Sequence, residues 1–411
     1  MTSAAPRVLL VSSWQTVNIG DVAHTPGALA AFAEFAPEAE VVLWAWRLGD
    51  RERELLTGHF DNVTVIDGGP SADLPDDLID SCDVLVHGSA PFFVADREFA
   101  SWRRRTSKPY GLFGVTFDPI APFHMTLDQA VTMVDAIDGD LLAPGHREIL
   151  DGASFVHCRD SLSLRFLQGQ DIGADRLSFG PDATLAYEVG DEAGAEQIIG
   201  EYGLVPGEFL CVVPRVRFAP YHTMFGTPPT PDQVRKEAFN AGHTDADLAV
   251  LRQVVIDWVR DTGRDVLVVP EMAYVVELAA ERMTDWPADV APKVHVLPRF
   301  WSLAEASAVY ARAAAVVSMD GHSPLLATAV GTPTRYLRLP TETVKGQMFA
   351  DLGVGPALEI EPDPSRTIRT VLAAIVADPD GARAAVAGAR TQGRAELQRM
   401  VTEVMESITG R

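Results

Sequence analysis

The sequence predicts an α/β protein with two Rossmann-like domains facing a cleft, followed by C-terminal helices. Three observations carry this reading. Short β-branched runs alternate with longer Ala/Leu-rich segments throughout the chain. The runs are apolar on both faces, the mark of parallel strands covered by helices. The pattern then restarts after "GDEAGAEQIIGEYGLVPGE" (190–208). A length of 411 residues exceeds one ordinary core and also favours two domains.

The first domain is expected over 1–190. Its strands are "RVLLVSS" (7–13), "EVVLWAW" (40–46), "VTVID" (63–67), "DVLVHG" (83–88), "PYGLFGVTF" (109–117) and "SFVHCRD" (154–160). Helices lie between most of them, such as "TPGALAAFAEFA" (25–36) and "SLSLRFLQGQ" (161–170). The second domain, 191–363, opens on "FLCVVPRV" (209–216) and continues with "DVLVVPE" (265–271), "KVHVLP" (293–298), "AVVSMD" (315–320) and "PTRYLRL" (333–339). Helices are expected near 246–261, 273–284, 302–313 and 323–330. The stretch 217–246 reads as a long loop, the kind of connection that serves as a lid or binding loop. The tail, 364–411, is Ala/Arg-rich and helical. Two such halves make the GT-B-like arrangement of many glycosyltransferases, in which ligands sit beyond the carboxyl ends of the strands.

Composition narrows the function. The chain is 47% hydrophobic with mean hydropathy near zero, as in a globular protein with a sizeable core. Its 57 acidic against 34 basic residues give a formal charge of −23, which argues against nucleic-acid binding. Cys82, Cys158 and Cys211 are too few and too scattered for a disulfide framework, so a reducing cytoplasm is expected. The N-terminal apolar run reads as a strand rather than a signal peptide, and no stretch has the length of a transmembrane segment. The sequence spells no metal-ligand spacing.

Five stretches fall at strand ends facing the expected cleft. "WQTVNIGDVAHTPGAL" (14–29) offers Asn18, Gly20 and Asp21 at a helix start, and G-x-G-x-x-G is absent. "HGSAPFFVAD" (87–96) offers His87, Gly88 and Ser89 for the cleft floor, or for a structural turn. "VHCRDSLSLRFLQ" (156–168) places Arg159 and Asp160 at a strand end and Ser163 in the following helix, and these suit structural support; Asp182 sits at the domain seam. Arg215 and Arg217 leave a strand in "VVPRVRFAPYH" (212–222), and arginine suits phosphate or carboxylate. Last, "SMDGHSPLLATAVGTPTRYLRLPTETVK" (318–345) sets Asp320, Gly321 and His322 where a strand opens into a helix, with Lys345 downstream.

Taken in order, "NIGD" (18–21), "DVLVHGSA" (83–90), "VHCRDSLSLRFL" (156–167), "PDAT" (181–184), "VVSMDGHSPLLATAVGTP" (316–333) and Lys345 resemble the polysaccharide pyruvyl transferase family, over about residues 7 to 355. The resemblance implies a GT-B-like transferase that moves a pyruvyl group from phosphoenolpyruvate to two hydroxyls of a sugar, forming a ketal. Phosphoenolpyruvate would be a co-substrate and no cofactor is implied; the partners would be this donor and a sugar-like acceptor. His322 falls on the family's Arg-x-His histidine and Lys345 on its downstream lysine. Arg159, Asp160 and Ser163 fall on its Arg-Asp-x-x-Ser motif, and Asn18, Gly20 and Asp21 on its N-terminal glycine turn. Two departures stand out: the Arg-x-His arginine is Asp320 here, and the usual Gly-Gly is His87-Gly88-Ser89.

On this reading His322 is the acid/base, with Asp320 orienting it or raising its pKa, while Arg215, Arg217 and Lys345 hold the donor. Asp320 keeps two alternatives open. One is a GT-B-like glycosyltransferase or other group-transfer enzyme of natural-product or cell-envelope biosynthesis. The other is a non-catalytic binding protein on the same fold.

Overall fold

The computed structural model describes residues 5–69, 72–121 and 123–410; positions 1–4 and 411, the ends of the expected domain spans, lie outside them. Seven strands form the first sheet: β1 (Arg7–Ser12), β2 (Glu40–Ala45), β3 (Val63–Asp67), β4 (Val84–His87), β5 (Tyr110–Val115), β6 (Phe155–Cys158) and β7 (Leu177–Phe179). Their spatial order is β3-β2-β1-β4-β5-β6-β7, with every pair parallel. The second sheet holds β8 (Leu210–Val213), β9 (Val266–Val268), β10 (Val294–Val296), β11 (Ala315–Ser318), β12 (Thr334–Arg338) and β13 (Leu358–Glu359). Its order is β10-β9-β8-β11-β12-β13, again parallel. The central strands are buried from end to end because helices cover both faces, which is why their sequences read as unbroken apolar runs.

Each sheet reverses its winding once, between β1 and β4 in the first and between β8 and β11 in the second. At such a switch point the flanking loops run in opposite directions and leave a crevice at the carboxyl ends of the strands.

The structure corrects two sequence expectations. The segment 217–246 is not one long loop: a helix of 32 residues starts at Pro231 and runs to Thr262, and before it a single turn spans Tyr221–Met224. The signal is local. Thr230 accepts from the Gln233 amide while the Gln233 side chain reaches back to Thr230, and Pro231 occupies the first helical position. Likewise the first helix starts at Ile19 rather than 25, with Asn18 as its N-cap and Pro26 inside it. Proline in a helix interior forfeits a backbone hydrogen bond, but tertiary packing compensates, for nearly every residue from Ile19 to Phe32 is buried.

That first helix is enclosed because both domains close on it. Ile19, Val22 and Ala23 join the core of β8 and β11, while Ala28, Leu29 and Phe32 join the core of β1 and β2. The turn before it pairs with the loop after β9: Ile19 N–H donates to Glu271 O at 3.0 Å, and Ala273 N–H to Val17 O at 2.9 Å. The C-terminal helices divide between the domains. Helix Ser365–Ala377 sends Ile368, Leu372 and Ile375 into the second core, whereas Pro379–Thr409 returns Leu397, Met400, Val401 and Val404 to the first.

Candidate active site

The loops after β1, β8, β9 and β11 meet where the two switch points face each other. His322 is the first residue of helix His322–Ala329, with Gly321 as N-cap. Glu271, after β9, caps that helix, accepting from Ser323 N–H at 2.6 Å and His322 N–H at 3.2 Å. A carboxylate there complements the positive end of the helix. Glu271 Oε1 also lies 3.3 Å from His322 Nδ1, without the alignment of a hydrogen bond.

The other imidazole nitrogen defines the centre. His322 Nε2 is 3.0 Å from His24 Nε2, across the domain boundary, so one ring carries the proton that the other accepts. His24 Nε2 is in turn 3.2 Å from Asp182 Oδ2, which also accepts from Arg159 Nη1 at 2.6 Å. All four side chains are buried. Burial holds the His322 imidazole down to about 4, and His24 adds to the shift. The ring is therefore neutral at pH 7, and the expectation that Asp320 raises its pKa is corrected: desolvation dominates. Burial alone would raise the Asp182 carboxyl, but His24 and Arg159 outweigh it and hold it well below the usual range.

Gly20 explains its own presence. A Cβ built there would stand 2.1 to 2.3 Å from three atoms of His322, so only glycine lets the first helix pass this ring. Gly20→Ala is expected to push His322 out of register and lower kcat by about 10²-fold, the order of effect of a 1 Å misplacement. Steady-state rates beside thermal melts check this: unchanged kcat would remove the packing argument.

A second group adjoins the histidines. Arg215 Nη1 donates to Asp320 Oδ1 at 2.6 Å, and its Nη2 is 2.8 Å from Glu342 Oε1. Lys345 Nζ lies 2.9 Å from Glu342 Oε2. Burial pushes Asp320 up to about 7 against the pull of Arg215, with Glu271 adding to the rise. Glu342 goes the other way: Arg215 and Lys345 overcome its burial and hold it at about 2. Two acids thus share one arginine in opposite protonation regimes.

Not every expected residue comes to this centre. Arg217 is held by Asp247 in a bidentate pair at 2.7 and 2.8 Å and also donates to Glu361, so its fork is taken up by the protein. His87 is buried among Trp14, Phe93 and Phe99, its Nδ1 2.6 Å from Gly88 O and its Nε2 accepting from Val94 N–H. Burial lowers it to about 3, so it is a neutral brace beneath the cleft floor. Ser89 Oγ donates to Phe113 O and accepts from Ala183 N–H, tying β5 to the seam. Asp160 caps its helix through Ser163 N–H at 2.7 Å and Ser163 Oγ at 2.8 Å, and burial raises it to about 6. Asn18 is an N-cap, whereas Asp21 accepts from Gln15 within the cleft.

Sequence reasoning missed His24, Glu271 and Glu342. With the helix begun at Ile19, His24 falls four residues after Gly20 on one face, which was the available signal. Among the described residues, the sets Asp21–His24–His322 and Glu271–Asp320–His322 each bring donor atoms within 4.8 Å and could hold a cation. Folding thus assembles what no local spacing spelled.

The two parallel-sheet domains define an α/β architecture of the GT-B type, with the paired histidines where the domains meet. Its solved neighbours include the UDP-GlcNAc 2-epimerase of Neisseria meningitidis bound to UDP-GlcNAc (TM-score 0.59, 9% identity, 97% of this chain and 99% of that one). S. aureus MnaA with UDP is similar (0.59, 8%, 98% and 97%), as is Anabaena HepE with UDP (0.53, 12–13% across its complexes, 99% and 100% in the complex with UDP). At such identities the likeness is one of fold. No curated protein sequence matches the chain. The family model for polysaccharide pyruvyl transferase matches residues 18–339, with Lys345 just past its end. The chain belongs to the polysaccharide pyruvyl transferase family, and so is a transferase.

Proposed function

We propose that this protein transfers a pyruvyl group from phosphoenolpyruvate to two hydroxyls of a sugar-like acceptor in the interdomain cleft. The observation that carries the reading is the pairing of a neutral imidazole, His322, with a carboxyl that burial keeps partly protonated, Asp320, beside the cations Arg215 and Lys345. Two titratable groups whose environments push their pKa values apart are suited to base and acid roles.

His322 takes the proton of the first acceptor hydroxyl as its oxygen attacks the central carbon of phosphoenolpyruvate. Asp320 gives its proton to the methylene carbon, which becomes a methyl group. The second hydroxyl then displaces phosphate and closes the ketal; its proton restores Asp320, and phosphate leaves with the proton from His322. Protonated Asp320 releases a guanidinium N–H of Arg215 for the donor's anionic groups, with Lys345 beside it. His24 shares the His322 proton, and Asp182 and Arg159 anchor His24. In this role Asp320 answers for the family arginine: Arg215 supplies the positive charge from another strand end. No cofactor is invoked, and the three buried free cysteines fit a cytoplasmic setting.

The UDP-bound neighbours support a second reading, glycosyl transfer from a nucleotide sugar, on fold alone.

The test is acceptor-dependent release of inorganic phosphate with a new pyruvyl methyl resonance. Its rate should rise as pH passes about 4, where His322 loses its proton, and fall as pH passes about 7, where Asp320 loses its own. A rate that keeps climbing above pH 7 would contradict the acid role.

A further inference from the structure

A cavity of about 260 Å³ opens beside the histidine centre, walled by Trp14, Trp46 and Phe92 from the first domain and Tyr221 and Phe225 from the second. Phe92, Tyr221 and Phe225 are exposed aromatics gathered at one cavity, and it is such clustering that marks an interaction site. Four of the five aromatic walls are ordered in pairs. Trp14 meets Trp46 edge to face at 5.1 Å, Tyr221 stacks on Phe225 at 6.1 Å and 17°, and the Arg47 guanidinium covers the Phe225 ring at 4.7 Å.

Gln15 and Asp21 are polar groups lining the same cavity. Gln15 is 9% exposed and donates its amide N–H to Asp21, yet its Oε1 is buried with no hydrogen-bond partner among the described residues. A buried carbonyl left unpaired costs about 1–3 kcal/mol, a cost that a ligand hydroxyl recovers when the Gln15 side chain turns toward the cavity it lines. Asp21 supplies the link to chemistry: a donor atom of its side chain lies within 4.8 Å of those of His24 and His322.

We infer that this cavity is the acceptor subsite, and that it holds one neutral sugar ring. Its apolar face lies against the aromatic walls and its hydroxyls reach Asp21 and, once that side chain turns to the cavity, the Gln15 amide. The size fits one ring rather than an extended chain, being below the roughly 300–1,000 Å³ of drug-sized sites. Charge does not gather the phosphorylated donor here, because the Asp21 carboxylate offsets the guanidinium of Arg47 in the same lining, whereas Arg215 and Lys345 put two cations together. The donor is thereby assigned to Arg215 and Lys345. This assignment rests on the pyruvyl-transfer reading for the donor's identity, but the sugar subsite does not.

The experiment is saturation-transfer NMR on the full chain without phosphoenolpyruvate. The probes are methyl glycosides of glucose, galactose and mannose at ~10 mM, where even a Kd of ~1 mM fills most sites. Transfer to ring protons of at least one glycoside is expected, with affinity about threefold to tenfold weaker in Phe225→Ala and Gln15→Leu. Phe225 is partly exposed, so its truncation should leave the fold intact, and matched thermal melts verify this. Absence of transfer from all three glycosides, or equal transfer in both variants, would overturn the assignment. So would uridine diphosphate displacing the glycoside and losing affinity in Phe225→Ala. Phosphoenolpyruvate titrated in parallel keeps the two readings apart: sugar binding without donor binding upholds the subsite and sinks pyruvyl transfer.

Discussion

His322→Gln should lower kcat by about 10²- to 10⁴-fold, the range associated with a positioned acid/base group. Glutamine keeps a polar group near His24 but cannot accept a proton at neutral pH. The helix it begins is held from the backbone, through Glu271 capping the His322 and Ser323 amides, and so should survive the change. Phosphate release at saturating donor, with circular dichroism on the same samples, separates chemistry from folding. A variant that keeps most of its rate would remove His322 from the mechanism.

Asp182→Ala carries the largest expected cost in stability. Its carboxylate is fully buried and holds both Arg159 and His24. Removing it strands a buried guanidinium, which costs about 3–5 kcal/mol, whereas Asp182→Asn retains a hydrogen-bond acceptor and should cost less. The first transition in urea should move to lower concentration for Asp182→Ala. An unshifted midpoint would mean that Arg159 finds another partner, and that the seam is held by apolar packing.

The strands were legible because the fold hides them on both faces: residues as far apart as Val8 and Val317 announce themselves by apolarity alone. β7 and β13 were not, for LSF and LE carry no β-branched residue, whereas the equally short β10 shows itself through the valines of VHV. Helix starts were misjudged in opposite ways. The first helix is read from Thr25, one residue before Pro26, whereas tertiary packing lets it begin at Ile19; Thr230, Pro231 and Gln233 announce another that the surrounding polar residues obscured.

At the site, position was legible and pairing was not. The switch-point logic put Arg215 just past one strand end and Asp320 and His322 just past another, and the structure has them there, after β8 and β11. Arg215 and Arg217 leave the same strand two residues apart, yet one meets Asp320 and Glu342 while the other meets Asp247 and Glu361. Those partners are brought in by folding from distant segments, and no local pattern encodes them. The direction of the His322 pKa shift was lost for the same reason, since His24 and the depth of burial belong to the assembled cleft.

On the proposed reading, the Arg215–Lys345 side of the cleft holds a phosphorylated enol acid. Isothermal titration of phosphoenolpyruvate into wild type and Lys345→Met, beside UDP-glucose and UDP-GlcNAc, addresses it most directly. Saturable binding of phosphoenolpyruvate is expected, weakened at least about tenfold in Lys345→Met by the loss of one charge-assisted contact, with no comparable binding of either nucleotide sugar. Saturable binding of a nucleotide sugar, with none of phosphoenolpyruvate, would contradict that reading and make this chain a glycosyl-transfer enzyme.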